Sequence, residues 1–588
     1  MTGDAGTTAP SRLDKLLRPG GNSRRDVTLD VLWLLGLGLL LMATGLGFRD
    51  PWPPDEPRFA LIAQDMLRSG DWLIPRVGGD LYADKPPVFF WLIAVATSIT
   101  GSLRVGFLLP SLLAGLGTVL LTYDLVRRAR GREAGFAAGF MLLLTFQFVW
   151  QARMAQIDAT LCFFTTLSLY GLLRHLCLGP APGWFLLGWA AAGLGVITKG
   201  VGFLPLLALL PFAILVRRGW RAPVLRIRSL GLAGLGTMLV AIGLWFVPMI
   251  VATSAGGELL AYRNEILFKQ TVTRYADAWH HHAPVYYYFV EIIPIFWLPL
   301  VALVPWLWKR WRAAFSDRDT LVAVLLAWVA IVVIFFTASS GKRSLYVLPA
   351  VPAFAMAAGP WLPELLRARG TRRLAFVLAC TLATVAALAA VYLAVDGARA
   401  ARIEAQFGIA PVLPLAVIAG CCAAVLAVFR ERDGWLAYAG VLATILAFTG
   451  FVAYPGLDAV RSGRAFTERV EQAAAGVQEL ALVGAKEQYL LELRRPSFNF
   501  GHARWRERES EAADAAAWLA EDPRRALVMD KRVRELCFRG ATAVDLGKAN
   551  RQHWFLVTGV PDAECAARGD KSRARLYSPP IASLNTNS

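Results

Sequence analysis

Between Val27 and Val452 the chain alternates long apolar runs with short polar breaks. The runs are rich in Leu, Ala and Gly and lack the period-two alternation of strands. A helical crossing of a hydrocarbon core takes about 20 apolar residues. Only helices or closed barrels satisfy their backbone groups in lipid, and this pattern favours helices. Thirteen crossings are predicted, at 27–48, 104–126, 134–150, 159–176, 184–198, 201–216, 229–253, 288–308, 319–337, 345–361, 373–395, 411–429 and 436–453. The run Pro86 to Thr100 (PPVFFWLIAVATSIT) is short for a crossing and is read as an interfacial or re-entrant helix. Counting it as a crossing would invert the basic loops that follow.

With that count, six basic clusters share one side: the N-terminus, 127–132, 217–228, 309–318, 366–373 and 430–432. The positive-inside rule makes that side the cytoplasm. Much of the +18 net charge is therefore read as topology signal and anionic-lipid contact, not as nucleic-acid binding. The predicted order is a cytoplasmic basic N-terminus (1–26), a transmembrane domain (27–453) and an external domain (454–588). External loops at 49–103 and 254–287 are the first and fourth. No cleavable signal peptide is evident, so the first span is expected to be retained. In the last segment strand-like runs (LALVGA, RALVMD, HWFLVTG) alternate with a helix-like one (AFTERVEQAAAGVQEL), which predicts a small α/β domain. Of seven cysteines, only Cys537 and Cys565 fall in it, where an oxidising compartment would let them pair.

The reactive side chains crowd the external side. The first loop carries Asp55, Glu56 and Arg58 in PPDEPRFA, then Tyr82, Asp84 and Lys85 in GGDLYADKPP. Asp55 and Glu56 stand at a helix start, where capping alone would account for them. Lys85 reads either as a headgroup anchor or as a phosphate contact. The second loop has Arg153 and Asp158, and the third is a tight turn with Lys199. The fourth holds Lys269, Arg274, His280, His281, His282 and the tyrosines 286–288. The fifth holds Lys342, Arg343 and Tyr346. Five loops that each bring a cation to one membrane depth predict a pocket for a phosphorylated ligand entering from the lipid, such as a polyprenyl phosphate. A transporter would instead place ionisable groups near the bilayer midplane, and the predicted span interiors carry almost none.

In their order, Asp55-Glu56-Pro57-Arg58, Lys85-Pro86-Pro87 with Phe90-Trp91, Gln151 to Asp158, Thr198-Lys199-Gly200, His281 to Tyr288 and Lys342 to Pro349 resemble the lipid A 4-amino-4-deoxy-L-arabinose transferases. These belong with the protein O-mannosyltransferases among the GT-C glycosyltransferases. The resemblance covers about 50–360. It implies an all-α polytopic membrane domain with amphipathic interfacial helices and a periplasmic C-terminal domain, in the bacterial inner membrane. It implies an undecaprenyl-phosphate sugar as donor and lipid A phosphate as acceptor, and so lipopolysaccharide modification and polymyxin resistance. It also matches Asp55 to the essential acidic position and Lys85 and Arg274 to positions near the donor phosphate. The run Lys342-Arg343-Ser344 departs from the Lys-Leu-Pro-like pattern of the family, and the C-terminal segment carries no recognised motif.

The expected reaction is substitution at an anomeric carbon with polyprenyl phosphate leaving. Cations around the leaving phosphate are its main catalytic device. Asp55, Asp158 and Glu56 are the catalytic candidates. Lys85, Arg274, Lys199, Lys342, Tyr346 and Lys269 are candidates for the donor phosphate. Arg58, Tyr82, Arg153 and Arg343 are candidates for positioning substrate. A divalent metal on His281, His282 and Asp84 stays open, although the three adjacent histidines cannot all face one ion. No tightly bound organic cofactor is expected, and the chain is read as a monomer. The other reading within the enzyme class is transfer of another lipid-linked sugar, such as mannose, to protein or glycan.

Overall fold

The computed structural model describes residues 12, 23–224, 228–267, 283–502 and 504–579. Among them, five helices are long and apolar enough to cross a membrane: Leu103–Arg130, Ser229–Ala255, Thr320–Ala338, Arg369–Val395 and Glu431–Ala473. Three further pairs qualify only when both arms are joined. Arg132–Leu144 meets Phe146–Ala152 at 71°, Tyr288–Phe296 meets Val301–Ser316 at 100°, and Gly397–Phe407 meets Val412–Val428 at 104°. The expected straight spans at 134–150 and 288–308 are thus bent. Thr145 adopts extended backbone in the first. In the second, Pro299 cannot donate to the preceding turn. The predicted span 345–361 is a series of short turns and helices: Ser344–Val347, Ala350–Ala358 and Gly359–Trp361.

Local chemistry sets several helix starts. The Ser23 side chain accepts from the Asp26 backbone N–H ahead of Arg24–Met42, and Asp319 accepts from Val322 ahead of Thr320–Ala338. Apolar side chains remain outward on the bundle: on Ser229–Ala255, Leu232, Leu244 and Val251 are 67%, 70% and 69% exposed. An apolar surface of this kind calls for lipid. Where Gly45 meets Gly450, a Cβ on Gly45 would stand 2.4 Å from the Gly450 Cα, so two backbones cross where no side chain fits.

The helix Val88–Thr100 has 13 residues, and its inner face packs against protein. Phe89, Phe90 and Ile93 share one buried core with Phe59 and Ile62 of the helix Glu56–Ser69 and with Phe466, Leu482, Tyr489 and Trp554 of the C-terminal segment. That segment builds a six-stranded sheet. A hairpin in the first external loop, β1 (Arg76–Val77) and β2 (Asp80–Leu81), precedes it in the chain. The sheet strands are β3 (Glu479–Leu482), β4 (Ser497–Asn499), β5 (Arg525–Asp530), β6 (Thr542–Ala549), β7 (Gln552–Thr558) and β8 (Arg575–Tyr577), in the order β6-β7-β5-β3-β4-β8. β3 runs parallel to β4 and β5, and the outer strands are antiparallel. The helical path runs through residue 453 without a break, so the sheet begins well after the last apolar run.

Asp50 ties the layers together. It accepts from Arg104 at 2.7 Å and from Arg464 at 2.9 Å, while Asp458 accepts from the Trp52 indole at 2.7 Å. Cys537 and Cys565 form a disulfide across 28 residues. Closing a loop of that length stabilises a domain by about 2–4 kcal/mol. Cys537→Ser with Cys565→Ser is therefore expected to lower the unfolding temperature of the C-terminal domain under oxidising conditions. Calorimetry with and without reductant checks this: the wild-type protein should respond to reductant and the double variant should not.

Candidate active site

Asp55 occupies the N-cap position of Glu56–Ser69, yet its side chain caps nothing. It forms an ion pair with Arg343 at 3.2 Å instead. Burial works against the charge on Arg343, but Asp55 and Asp158 hold its pKa above the ordinary guanidinium value. Asp158, in the first turn of Ile157–Leu176, pairs with Lys199 at the end of Pro182–Lys199. The Lys199 ammonium lies 4.6 Å from the centre of the Tyr346 ring. Four separate loops thus supply one chain of alternating charge: Asp55, Arg343, Asp158 and Lys199, with Tyr346 beside it.

A second group adjoins it through Arg58, one helical turn after Asp55. Arg58 pairs with Glu487 at 2.7 Å. Burial opposes its charge, but Glu487, Tyr82 and Asp55 raise its pKa above the ordinary value. Tyr82 is fully buried, and burial first, then Asp84, pushes its hydroxyl pKa upward. The His502 ring lies 5.9 Å from the Tyr82 ring, and burial lowers the pKa of its imidazole. Lys85 donates to the Asp84 carbonyl at 2.9 Å.

Three expected site residues have structural roles. Glu56 is buried with every acceptor occupied: it pairs with Arg49 and accepts from the backbone N–H groups of Trp52 at 2.9 Å and Ala155 at 3.0 Å. Arg153 is buried and donates to the Leu41 carbonyl at 2.7 Å, the Thr44 hydroxyl at 2.5 Å and the Leu446 carbonyl at 2.9 Å, where it staples helices. Lys342 donates to the carbonyls of Ser339 in its own loop at 2.7 Å and of Ala283 in the fourth loop at 3.0 Å. In each case the sequence shows a charge but not the backbone groups that claim it. Lys269, Arg274, His281 and His282 lie outside the described residues. Among the described residues no three His, Cys, Asp or Glu side chains gather as a metal ion requires, and the two histidines read together with Asp84 lie outside those residues. Glu487 and His502 escaped the sequence reading, because the C-terminal segment carries no motif that marks them.

Residues 84–246 match the family model described as dolichyl-phosphate-mannose-protein mannosyltransferase. Among curated proteins, the chain is 32% identical over 354 residues to an undecaprenyl phosphate-alpha-4-amino-4-deoxy-L-arabinose arabinosyl transferase of Pseudomonas fluorescens Pf-5, covering 58% of this chain and 62% of the relative. It is 31% identical over 343 residues to the protein of that name in Pseudomonas aeruginosa PAO1, covering 56% and 60%. The chain thus spans less than two thirds of the length of these relatives. Among solved structures, ArnT from Cupriavidus metallidurans bound to undecaprenyl phosphate aligns with a TM-score of 0.70 at 24% identity, over 90% of this chain and 97% of that one. The fold is that of ArnT. The same protein in its apo state aligns with a TM-score of 0.69. The resemblance read from the loop motifs is borne out by these relatives, and the ArnT likeness extends it past residue 360 into the C-terminal sheet.

Proposed function

We propose that this chain is an integral-membrane glycosyltransferase that moves 4-amino-4-deoxy-L-arabinose from undecaprenyl phosphate to a phosphate of lipid A. The observation that carries this reading is Asp55: it stands at a helix start, leaves the cap unmade and faces Arg343 in a cluster drawn from four loops. The similarity to transferases named for that donor supports the same reading. In this reading the thirteen crossings put the cluster and the C-terminal sheet on the periplasmic side of the bacterial inner membrane. The protein works as a monomer, without a tightly held organic cofactor, and its product confers resistance to polymyxin.

The reaction is a substitution. A lipid A phosphate oxygen attacks the anomeric carbon, the bond from that carbon to the donor phosphate oxygen breaks, and the electron pair leaves on undecaprenyl phosphate. That phosphate gains charge in the transition state, so preorganised cations lower the barrier. Lys85 and Arg274 take this role, with Lys199 and Lys269 supporting it and Tyr346 holding Lys199. The nucleophile is already anionic near neutral pH and needs no base. Asp55 instead orients the sugar and pairs with its amino group, and Asp158 keeps Lys199 in place. Arg58, Tyr82 and Arg343 line the path of the donor.

Mass spectrometry of lipid A from cells with and without the protein tests the reading. A pentosamine-sized mass on phosphate is expected only with it. Lys85→Ala and Arg274→Ala should each weaken undecaprenyl phosphate binding by about 10- to 150-fold, since each removes a charge-assisted contact worth about 1.5–3 kcal/mol. Unchanged affinity in both variants would move the phosphate site towards Lys199. A second reading, mannose transfer to protein, draws on the description of the family model over 84–246. A hexose mass on protein, with lipid A unchanged, would favour it.

A further inference from the structure

The polar group around Arg58 is completed from the far end of the chain. Glu487 opens the short helix Glu487–Glu492 directly after β3, and His502 follows β4. β3 and β4 are adjacent and parallel, so both residues project from the same carboxyl edge of the sheet. Ligand-facing residues of open α/β sheets gather at that edge. Here it is pressed against the first external loop. Asn499 donates to the Gly78 carbonyl at 3.0 Å, the His502 backbone N–H donates to Asp80, and Arg575 bridges Asp80 at 2.7 Å and Glu258 at 2.9 Å. A Cβ on Gly501 would stand 2.8 Å from the Asp80 carboxylate, so the Asp80 side chain reaches in against the Gly501 backbone.

Within this contact Glu487 bonds the Nε of Arg58 at 2.7 Å, and its same oxygen lies 3.5 Å from His502 Nδ1. A carboxylate held through Nε leaves the terminal nitrogens of a guanidinium free to point elsewhere. Arg58 sits one turn along the helix from Asp55, and both the Asp55 charge and the Tyr82 hydroxyl act on its guanidinium. We propose that Glu487 is a positioning residue for sugar transfer: it fixes the Arg58 guanidinium at the donor site, so the C-terminal domain forms one wall of the active site. His502 backs Glu487 and packs on Tyr82, which limits the rotamers open to both.

This inference rests on the reading of function above, and its test separates the two. Full-length protein in nanodiscs would carry Glu487→Ala, Glu487→Asp, Arg58→Ala, the double variant Arg58→Ala with Glu487→Ala, and Arg575→Ala. Arg575→Ala loosens the same docking surface without touching Arg58. For each, kcat and KM with undecaprenyl-phosphate aminoarabinose and lipid A, the affinity for undecaprenyl phosphate, and the unfolding temperature would be measured. Glu487→Ala should lose about tenfold in kcat/KM, Glu487→Asp should regain most of it, and the double variant should match Arg58→Ala alone. Arg575→Ala should lower the unfolding temperature at least as much as Glu487→Ala while keeping more activity. Additive losses in the double variant, near-wild-type activity in Glu487→Ala, or an equal loss in Arg575→Ala would overturn the proposal. If the wild-type protein transfers no aminoarabinose, the functional reading falls. The same cycle on undecaprenyl phosphate affinity then decides the role of Glu487, with zero coupling to Arg58 counting against it. If the wild type does not bind undecaprenyl phosphate either, both readings fall.

Discussion

Asp55→Asn is expected to lower sugar transfer by about 100-fold or more while undecaprenyl phosphate still binds, since losing one preorganised electrostatic partner of the reacting group typically costs about 10²- to 10³-fold. The substitution is nearly isosteric and removes only the charge. The carboxylate caps no helix, and it pairs with Arg343 at 3.2 Å. A carboxylate serving the helix would cost stability when changed. One serving the substrate should cost turnover. The unfolding temperature should therefore move little, because both partners keep partial contact with solvent and such pairs contribute about 1 kcal/mol or less. Turnover and lipid-phosphate affinity of the purified variant, measured beside its unfolding temperature, check this. Activity near that of the wild type would remove Asp55 from the centre of the site.

Much of the fold was legible because lipid imposes a strong rule on composition. Apolar runs long enough to cross had to be helices. The rule says how much apolar chain is present, not how straight it runs. Thr145 and Pro299 break two expected spans into bent pairs, and nothing in the apolar count marks that. The short run 86–100 shows the same limit. Its length argued against a crossing, and its buried face packs on Phe59 and Tyr82 in a core that continues to Phe466, Tyr489 and Trp554 about 400 residues away, an extension that no local pattern reveals.

The site was legible as a set of loops and less so as a set of residues. Asp55, Asp158, Lys199, Arg343 and Tyr346 come together as the order of loop motifs suggested. Glu56, Arg153 and Lys342 carry the same charges in the same loops but spend them within the fold, Glu56 on Arg49 and two backbone N–H groups, Arg153 and Lys342 mainly on backbone carbonyls. Burial of a charge demands partners, and those partners are set by packing that the sequence pattern does not record. Glu487 was missed for the converse reason: its charge is ordinary for a solvated helix start, and only the docking of the sheet gives it Arg58.

Glu56→Gln is expected to cost about 3–5 kcal/mol of stability, the usual result of removing one partner from a buried ion pair. Glu56 is 4% exposed, and Arg49 is fully buried beneath the rings of Trp52, Phe107 and Tyr454. A glutamine can still accept from the Trp52 or the Ala155 backbone N–H, but its neutral amide leaves the Arg49 charge without its counterion. The neighbouring carboxylates at positions 55 and 56 therefore separate by experiment. The first should remove activity with little change in unfolding temperature. The second should lower the unfolding temperature sharply, and whatever protein folds should keep much of its turnover. Adding Arg49→Met to Glu56→Gln should recover part of the lost stability, because it removes the stranded charge and leaves an amide for the backbone donors. Thermal unfolding of the two single variants and the double variant checks the cycle. A Glu56→Gln protein as stable as the wild type would show that this pair does not hold the first external loop to the bundle.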